Sequence, residues 1–367
     1  MNKNFYDIAI SFIPYVGDIT AKKLIAYCGN AENVFKENKN NLLKIPKIGE
    51  RVVAGINDKS VFERVEKELK FIEKYNIKVL SYLDEEYPSK LKECEDSPII
   101  LYLKGENKFN NNKIISIVGT RKSTEYGSIL CKSFVEQIKK YSPIIVSGLA
   151  YGIDVCAHKV AIDNQLSTYG IVAHGLDTLY PSQHKNIVIK MLEEGGGLVT
   201  EYPSETKMDK DLFPRRNRII AGVAEATIVV EAKEKGGALI TAYYANNYNR
   251  DVFTFPGRVN DYTMKGCNKL IKTNQAHLIE NVEDFEYIMR WNENNYKKNI
   301  KQQTLFENLS EQEEQIIQFL KDNNEASIDE IVISLNIPIS KISSILLNLE
   351  FSGLINQLPG KIYRLIL

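Results

Sequence analysis

The sequence predicts a doubly wound α/β domain on a parallel sheet, with a helical region before it and a small unit of three helices and a hairpin after it. Three observations carry this. Between residues 110 and 290, short and mostly apolar runs alternate with amphipathic helical stretches, the pattern of parallel strands covered on both faces. Most of these runs end in turns rich in Gly with Ser, Thr, Arg or Lys beside it. After Trp291 the chain turns polar before a second apolar periodicity begins.

Composition sets the bounds. A chain of 367 residues exceeds one ordinary core, and 44% hydrophobic with 26% charged residues belongs to the globular class. The formal net charge of +0 excludes a uniformly basic coat, so any nucleic-acid surface has to be a local patch. The opening MNKNFYDIAISF lacks the apolar core and cleavage site of a secretory signal, and no run is long enough to span a bilayer. A cytoplasmic protein without membrane contact is expected. Five cysteines without a CxxC pair argue against a disulfide framework or a zinc site, and neither a metal nor another cofactor is expected.

In residues 1–75, IPYVGDITAKKLIAYCG and LLKIPKIGERVVAGI repeat one arrangement: an apolar residue, Pro, a short gap, Gly, then an amphipathic helix. Gly17 and Gly49 would open those helices with free amides, as a helix-hairpin-helix does when it holds a DNA phosphate. A bundle that only packs on the next domain fits the same pattern. Residues 60–74 read as an exposed amphipathic helix. Residues 76–109 form a connector whose two β-type runs lead into the core and add strands to it.

The core, residues 110–290, has strands expected at 114–118, 144–146, 170–173, 198–200, 227–230 and 252–255. Ligands of such sheets bind at the carboxyl ends of the strands. Gly119, Arg121 and Lys122 follow the first strand, Ser147 and Gly148 the second, and Gly236 and Gly237 a later one. Residues 213–222, FPRRNRIIAG, place Pro214 in the first turn of a helix and Ile219 and Ile220 on its buried face. Arginines at a helix start are repelled by the helix dipole unless an anion balances both. In the competing reading Glu201 and Glu231, at neighbouring strand ends, hold Arg216 or Arg218 in place. Phe213 and Tyr180 are the aromatics best placed to stack on bases.

Residues 291–309 read as a linker. Residues 310–367 open on a capping box, Ser310 with Glu313, continue through two more helices and end in a hairpin turned at Pro359 and Gly360. That is the order of a winged helix. Its third helix offers only Lys341 and several serines, so a protein partner is as well suited to it as DNA.

The segments SIVGTRKSTEYG, IVSGLAYGIDVCAH, GLDTLYPSQH, TEYP, FPRRNRIIAG, VVEAKEKGGALITA and VFTFPG resemble the DNA-processing protein A family, also called Smf, over most of residues 110–285. The resemblance implies an extended Rossmann-like core, a helix-hairpin-helix or SAM-like N-terminal domain and a winged-helix tail. It also implies a cytoplasmic homodimer, joined through the central domain, that binds single-stranded DNA without sequence preference. The family protects incoming DNA in natural transformation and delivers it to the RecA recombinase, with no catalytic activity implied. Carried over by residue, Arg121, Ser147 and Gly148 belong to the DNA pocket. Lys185, Arg215, Arg216, Asn217 and Arg218 share its surface by position; Gly119, Lys122, Gly236 and Gly237, from their place at the strand ends, and Phe213, from its ring, complete the candidate set. Cys267 stands where the family usually has Thr, and Asn274-Gln275 replaces a glycine before Ala276, both near the region where family dimers associate.

Two other functions compete. Phosphoribohydrolases of related fold carry PGGxGTxxE, but aligning that on Gly236 and Gly237 puts Leu239 at the third glycine and Tyr243 at the catalytic Glu. Hydrolysis would then fall to Glu201 or Glu231. An adaptor sensing a mononucleotide would show no gain in affinity for a longer strand.

Overall fold

The computed structural model describes residues 4–110, 112–291, 310–352, 354–358 and 360–365. The expected linker, apart from Trp291, and Pro359 of the expected turn lie outside the described residues. The chain forms two compact units, Met1–Ile288 and Met289–Leu367.

The first unit begins with six helices: α1 (Phe5–Phe12), α2 (Asp18–Cys28), α3 (Ala31–Lys36), α4 (Lys39–Leu42), α5 (Glu50–Ile56) and α6 (Lys59–Tyr75). Gly17 and Gly49 cap α2 and α5 without a side-chain hydrogen bond. Helix α6 starts where Asp58 accepts a hydrogen bond from the Ser60 amide, and it ends at Asn76 in the left-handed region. Its Val61, Val65 and Ile72 join one core with α1 to α5, and that core continues into Ile77, Val79, Ile100 and Tyr102 of the connector.

The connector supplies β1 (Lys78–Ser81), the short α7 (Ser89–Lys92) and β2 (Ile100–Gly105). The central strands are β3 (Ile114–Val118), β4 (Ile144–Ser147), β5 (Thr168–Ile171), β6 (Gly197–Thr200), β7 (Ala226–Val229), β8 (Asp251–Thr254) and β9 (His277–Leu278). The six runs expected from sequence are all strands, and the short edge strand β9 was not foreseen. Between them lie α8 (Glu125–Ile138), α9 (Ile153–Asp163), α10 (Lys185–Glu193), α11 (Leu212–Val223), α12 (Gly237–Asn247) and α13 (Lys265–Lys272), with α14 (Val282–Met289) after β9.

The sheet order is β1-β2-β6-β5-β4-β3-β7-β8-β9. The strands from β6 to β9 in that order pair in parallel, while β1 and β2 add antiparallel at the β6 edge. Strand β3 lies in the middle: the chain adds β4, β5 and β6 on one side, then crosses to add β7, β8 and β9 on the other. The loops after β3 and β7 therefore part from each other at a topological switch point, where a doubly wound sheet opens a crevice.

The second unit contains α15 (Glu311–Asn323), β10 (Glu325–Ser327), α16 (Ile328–Leu335), α17 (Ile339–Phe351), β11 (Ile355–Leu358) and β12 (Ile362–Leu365), with sheet order β10-β12-β11. This is a winged helix around Ile316, Leu320, Ile331, Ile342 and Leu346. The capping box of Ser310 and Glu313 is present, and Ser327 with Glu330 forms a second one. Leu347 and Phe351 stand exposed one turn apart on α17, which gives its outer face an apolar character beside Lys341. Among the described residues no single helix is long and apolar enough to cross a membrane.

Candidate nucleic-acid interface

A cleft of ≈ 710 Å³ opens at the switch point. Val118, Gly119, Thr120 and Arg121 reach it from the end of β3, and Lys233, Lys235, Gly236 and Gly237 from the loop between β7 and α12. Phe213, Pro214, Arg216, Asn217 and Ile220 of α11 line it, as do Met208, Asp209 and Lys210 just before that helix.

The loops interlock through backbone contacts. Gly152 has φ +76°, and a Cβ there would lie 2.2 Å from the Thr120 carbonyl oxygen, so only glycine lets the β4 loop nest against the β3 loop. The Ile153 amide then donates to the Thr120 carbonyl (3.2 Å), and the Thr120 amide to the Glu231 carbonyl (2.8 Å). Leu149, fully buried, holds the left-handed region at φ 57°, a conformation that costs a non-glycine residue about 1–2 kcal/mol. Its carbonyl accepts from His184 Nδ1 (3.0 Å), while the Gly148 carbonyl accepts from Arg216 Nη1 (2.8 Å). Asp154 closes the turn by accepting from the Gly148 and Ala150 amides (3.2 and 3.3 Å). A Cβ at Gly148 would lie 2.7 Å from both Arg216 Nη2 and Asp154 Oδ2, so the guanidinium and the carboxylate fill the space glycine leaves.

The arginines of 213–222 have different environments. Helix α11 starts two residues before Pro214, which puts Arg215, Arg216 and Arg218 past its first three residues. Arg215 is exposed. Arg216 is buried, donates from Nη1 to the Ile171 carbonyl as well as to Gly148, and from Nε to Asn217 Oδ1 (3.3 Å). Burial pulls its guanidinium down to about 10, with Asp154 opposing and Arg121 adding to the fall. Burial also raises the Asp154 carboxyl, against the pull of Arg216. Arg218 is buried in an ion-pair node with Glu201 and with Asp18 Oδ2 (3.1 Å), and it also donates to the Asp96 carbonyl. Burial pushes the Glu201 carboxyl up to about 7, and Arg218 holds it back.

Asp18 is the first residue of α2 and also accepts from the Ile99 amide (3.0 Å). The opening of the first N-terminal hairpin is thus turned to the core. Helix α6 is fastened too, because Glu68 pairs with Arg64 (2.8 Å) and accepts from Ser204 Oγ (2.6 Å) in the loop that leads to α11.

The remaining predicted residues divide between cleft and surroundings. Gly119, Arg121, Phe213, Arg216, Asn217, Gly236 and Gly237 line the cleft, and Asn217 Nδ2 donates to the Gly237 carbonyl (3.1 Å), joining α11 to the start of α12. Arg121 lies over the Phe213 ring at 5.4 Å from its centroid, and Tyr180 meets the same ring edge-on at 6.0 Å. Ser147 is buried under the rim with Oγ donating to the Ile117 carbonyl (2.6 Å). Lys122 and Lys185 are exposed, and neither they nor Gly148, Arg215 and Arg218 are in the cleft lining.

Sequence reasoning did not single out Lys210, Lys233 and Lys235 as site residues, nor Asp154. The two lysines beside Gly236 stood in an already suspected turn, and Asp154 in the first turn of α9 is a buried acid whose neighbour Gly152 flagged the site. Lys210 lies in a run of mixed charge that carries no signal.

The acids needed for hydrolysis are used elsewhere. Glu231 accepts from the Thr124 amide (2.9 Å) and Oγ1 (3.2 Å) at the start of α8, and Glu201 holds Arg218. Neither lines the cleft, whose carboxylates are Asp154 and Asp209.

His158 lies beneath this rim, fully buried. Thr168 Oγ1 donates to the Ile145 carbonyl (2.8 Å), so it accepts from His158 Nδ1 (2.7 Å), leaving Nε2 as the unprotonated nitrogen. Burial lowers its pKa to about 3, with His184 and Arg216 adding to the fall. A depressed pKa gives stability that is complete above the ordinary value of 6.5 and is lost as pH falls toward 3. In that window His158 steepens the acid limb of a pH–stability curve by roughly 1.4 kcal/mol per pH unit. His158→Asn removes that slope in denaturant titrations; an unchanged acid limb means the imidazole does not resist protonation.

Comparison with known proteins places this geometry. The family model for DNA recombination-mediator protein A matches residues 78–289, and that for the DprA winged helix domain matches residues 302–361. Protein Smf of Synechocystis sp. is 34% identical over 274 residues, covering 72% of this chain and 68% of that protein. The crystal structure of DNA processing protein A from Streptococcus pneumoniae is similar with a TM-score of 0.61 at 30% identity, covering 77% of this chain and 96% of that one. DNA processing protein A from Helicobacter pylori, described for its single-stranded DNA binding mode, has a TM-score of 0.53 at 26% identity over 59% of this chain and 97% of its own.

Proposed function

The chain belongs to the DNA recombination-mediator protein A (DprA/Smf) family, and from that premise we propose that its cleft binds single-stranded DNA without sequence preference, shields it and delivers it to the RecA recombinase. The observation that carries this reading is the cleft lining. Arg121, Lys210, Lys233 and Lys235 converge there, with no ion pair to them among the described residues, beside the exposed start of α12 at Gly236 and Gly237. Phe213 and Tyr180 add ring surface for bases. Phosphates are the same on every nucleotide, so a track of cations and amides is sequence-tolerant, and rings accept any base. The Helicobacter pylori relative, described by its single-stranded DNA binding mode, supports the same ligand. On this reading the protein works in the cytoplasm as a homodimer joined through the central unit and performs no catalysis.

The test is a titration of the full chain with oligothymidylate, a duplex and a mononucleotide across salt. The expected result is tight binding of the single strand alone, with a log–log salt slope of about −3.5 from five neutralised phosphates, four at the cleft cations and one at the exposed Arg215, which stands between the lining residues Pro214 and Arg216. Equal affinity for a mononucleotide would sink the DNA reading in favour of a nucleotide-sensing adaptor. Stoichiometric release of base from nucleoside monophosphates, lost in Glu231→Gln, would establish a hydrolase instead.

A further inference from the structure

Helices α8 and α9 pack side by side, and each turns a cysteine toward the other. Cys131 lies in the middle of α8, and Cys156 is in the first turn of α9. A helical side chain leans toward the N-terminus of its own helix, which lays the Cys131 sulfur over the turn at Ser128. The Cys156 sulfur is 3.9 Å from the Ser128 carbonyl oxygen, so it comes down on that same turn. There the two thiols are in hydrogen-bonding contact with each other.

Their environments differ. Cys131 is fully buried, whereas Cys156 is half-buried. The hydrogen bond from Cys131 brings the Cys156 thiol down to about 7 against the effect of burial, and the Lys159 ammonium acts in the same direction. The same hydrogen bond, with burial, holds the Cys131 thiol well above its ordinary value. A place in the first turn of a helix also favours a thiolate. One sulfur is therefore a reachable nucleophile, and the other is a protonated thiol directly behind it. The remaining cysteines lack this arrangement: burial raises the thiols of Cys28, Cys94 and Cys267.

We propose that Cys131 and Cys156 form an oxidisable dithiol, which a hydroperoxide converts into a disulfide that clips α8 to α9. The Cys156 thiolate attacks one peroxide oxygen, the O–O bond breaks, and the other oxygen leaves as an alcohol, or as water from hydrogen peroxide. The resulting sulfenic acid is attacked by the Cys131 sulfur. The S–S bond forms, the S–O bond breaks, and the hydroxyl leaves as water with the Cys131 proton. Two thiols lose two electrons and the peroxide gains them. The bond joins the helix that follows the Arg121 loop to the helix whose Gly152 nests against that loop, so both supports of the loop become covalently linked. This inference does not depend on what the cleft binds.

The test treats the folded full chain with hydrogen peroxide, blocks the remaining thiols by alkylation and maps the peptides by mass spectrometry. The expected product is a disulfide-linked pair of peptides holding Cys131 and Cys156, reversed by dithiothreitol. The melting temperature of the oxidised chain rises by roughly 5 °C, because the cross-link restricts the unfolded chain. Cys131→Ala halts at a sulfenic acid on Cys156, captured by dimedone, and Cys156→Ser slows the reaction with peroxide roughly tenfold. Mapping of the parent needs no variant, so a substitution that fails to fold leaves the test intact. The inference is overturned if peroxide leaves both thiols free in the folded chain, or if Cys28 reacts first. It is equally overturned if Cys156 proceeds to a sulfinic acid without joining Cys131, or if the disulfide forms and the melting temperature does not rise.

Discussion

Arg216→Ala lowers the stability of the first unit by about 3–5 kcal/mol, seen as a lower denaturant midpoint with little change in slope. The guanidinium is buried where the carbonyls of Gly148 and Ile171, from two neighbouring strands, converge with Asp154. Deleting it leaves a buried carboxylate without its countercharge, and each unpartnered carbonyl adds a desolvation cost. It also frees the turn in which Leu149 holds its left-handed conformation. Arg216→Lys recovers only part of the loss, since a single ammonium cannot reproduce the planar fork that meets two carbonyls and Asn217. A variant that unfolds within about 0.5 kcal/mol of the parent would show that the arginine is no clamp.

The double variant Arg121→Ala with Arg215→Ala has the opposite profile. Both side chains are exposed, so the fold is kept, while affinity for oligothymidylate falls roughly 100-fold at low salt, from about 1.5 kcal/mol for each charge-assisted phosphate contact. The salt slope becomes shallower by about 1.4. Arg121 sits over Phe213, so its removal also disturbs the ring beside the phosphate track. The control is Lys297→Ala with Lys298→Ala, outside the described residues, which is expected to change little. Equal losses in the two double variants would mean that binding is diffuse electrostatics and that the cleft has no privileged role.

These two results separate Arg215 from Arg216, neighbours in one helix, and the sequence could not do so fully. It showed a helix start too rich in positive charge and two acids, Glu201 and Glu231, able to balance part of it. Glu201 does hold Arg218, whereas Glu231 turns to the start of α8, a choice set by which strand end faces which loop. The partner of Arg218 from α2, Asp18, is distant in sequence and carried no local signal. The strands were legible because their apolar runs are buried on both faces; β9 was not, because its two residues are exposed at the edge. The glycine turns were legible as a group, since Gly152 and Gly148 each answer to a steric demand of the rim. Of the lysines of the cleft, Lys233 and Lys235 stood in one of those suspected glycine turns, whereas Lys210 lies in a run of mixed charge that carried no signal.

The shared core of α1 to α6 with β1 and β2 also bears on how the chain folds. Ile77, Val79, Ile100 and Tyr102 complete the helical layer's interior, yet Tyr102 of β2 is in register with Thr200 of β6. The amino-terminal layer therefore rests on a strand pairing that spans nearly a hundred residues of sequence, a contact that forms slowly because so long a loop must close first. Until β6 is in place, β2 presents an unpaired apolar edge to solvent. A chain cut just after the connector keeps the helices but exposes that edge, so aggregation rather than a soluble helical fragment is its expected fate.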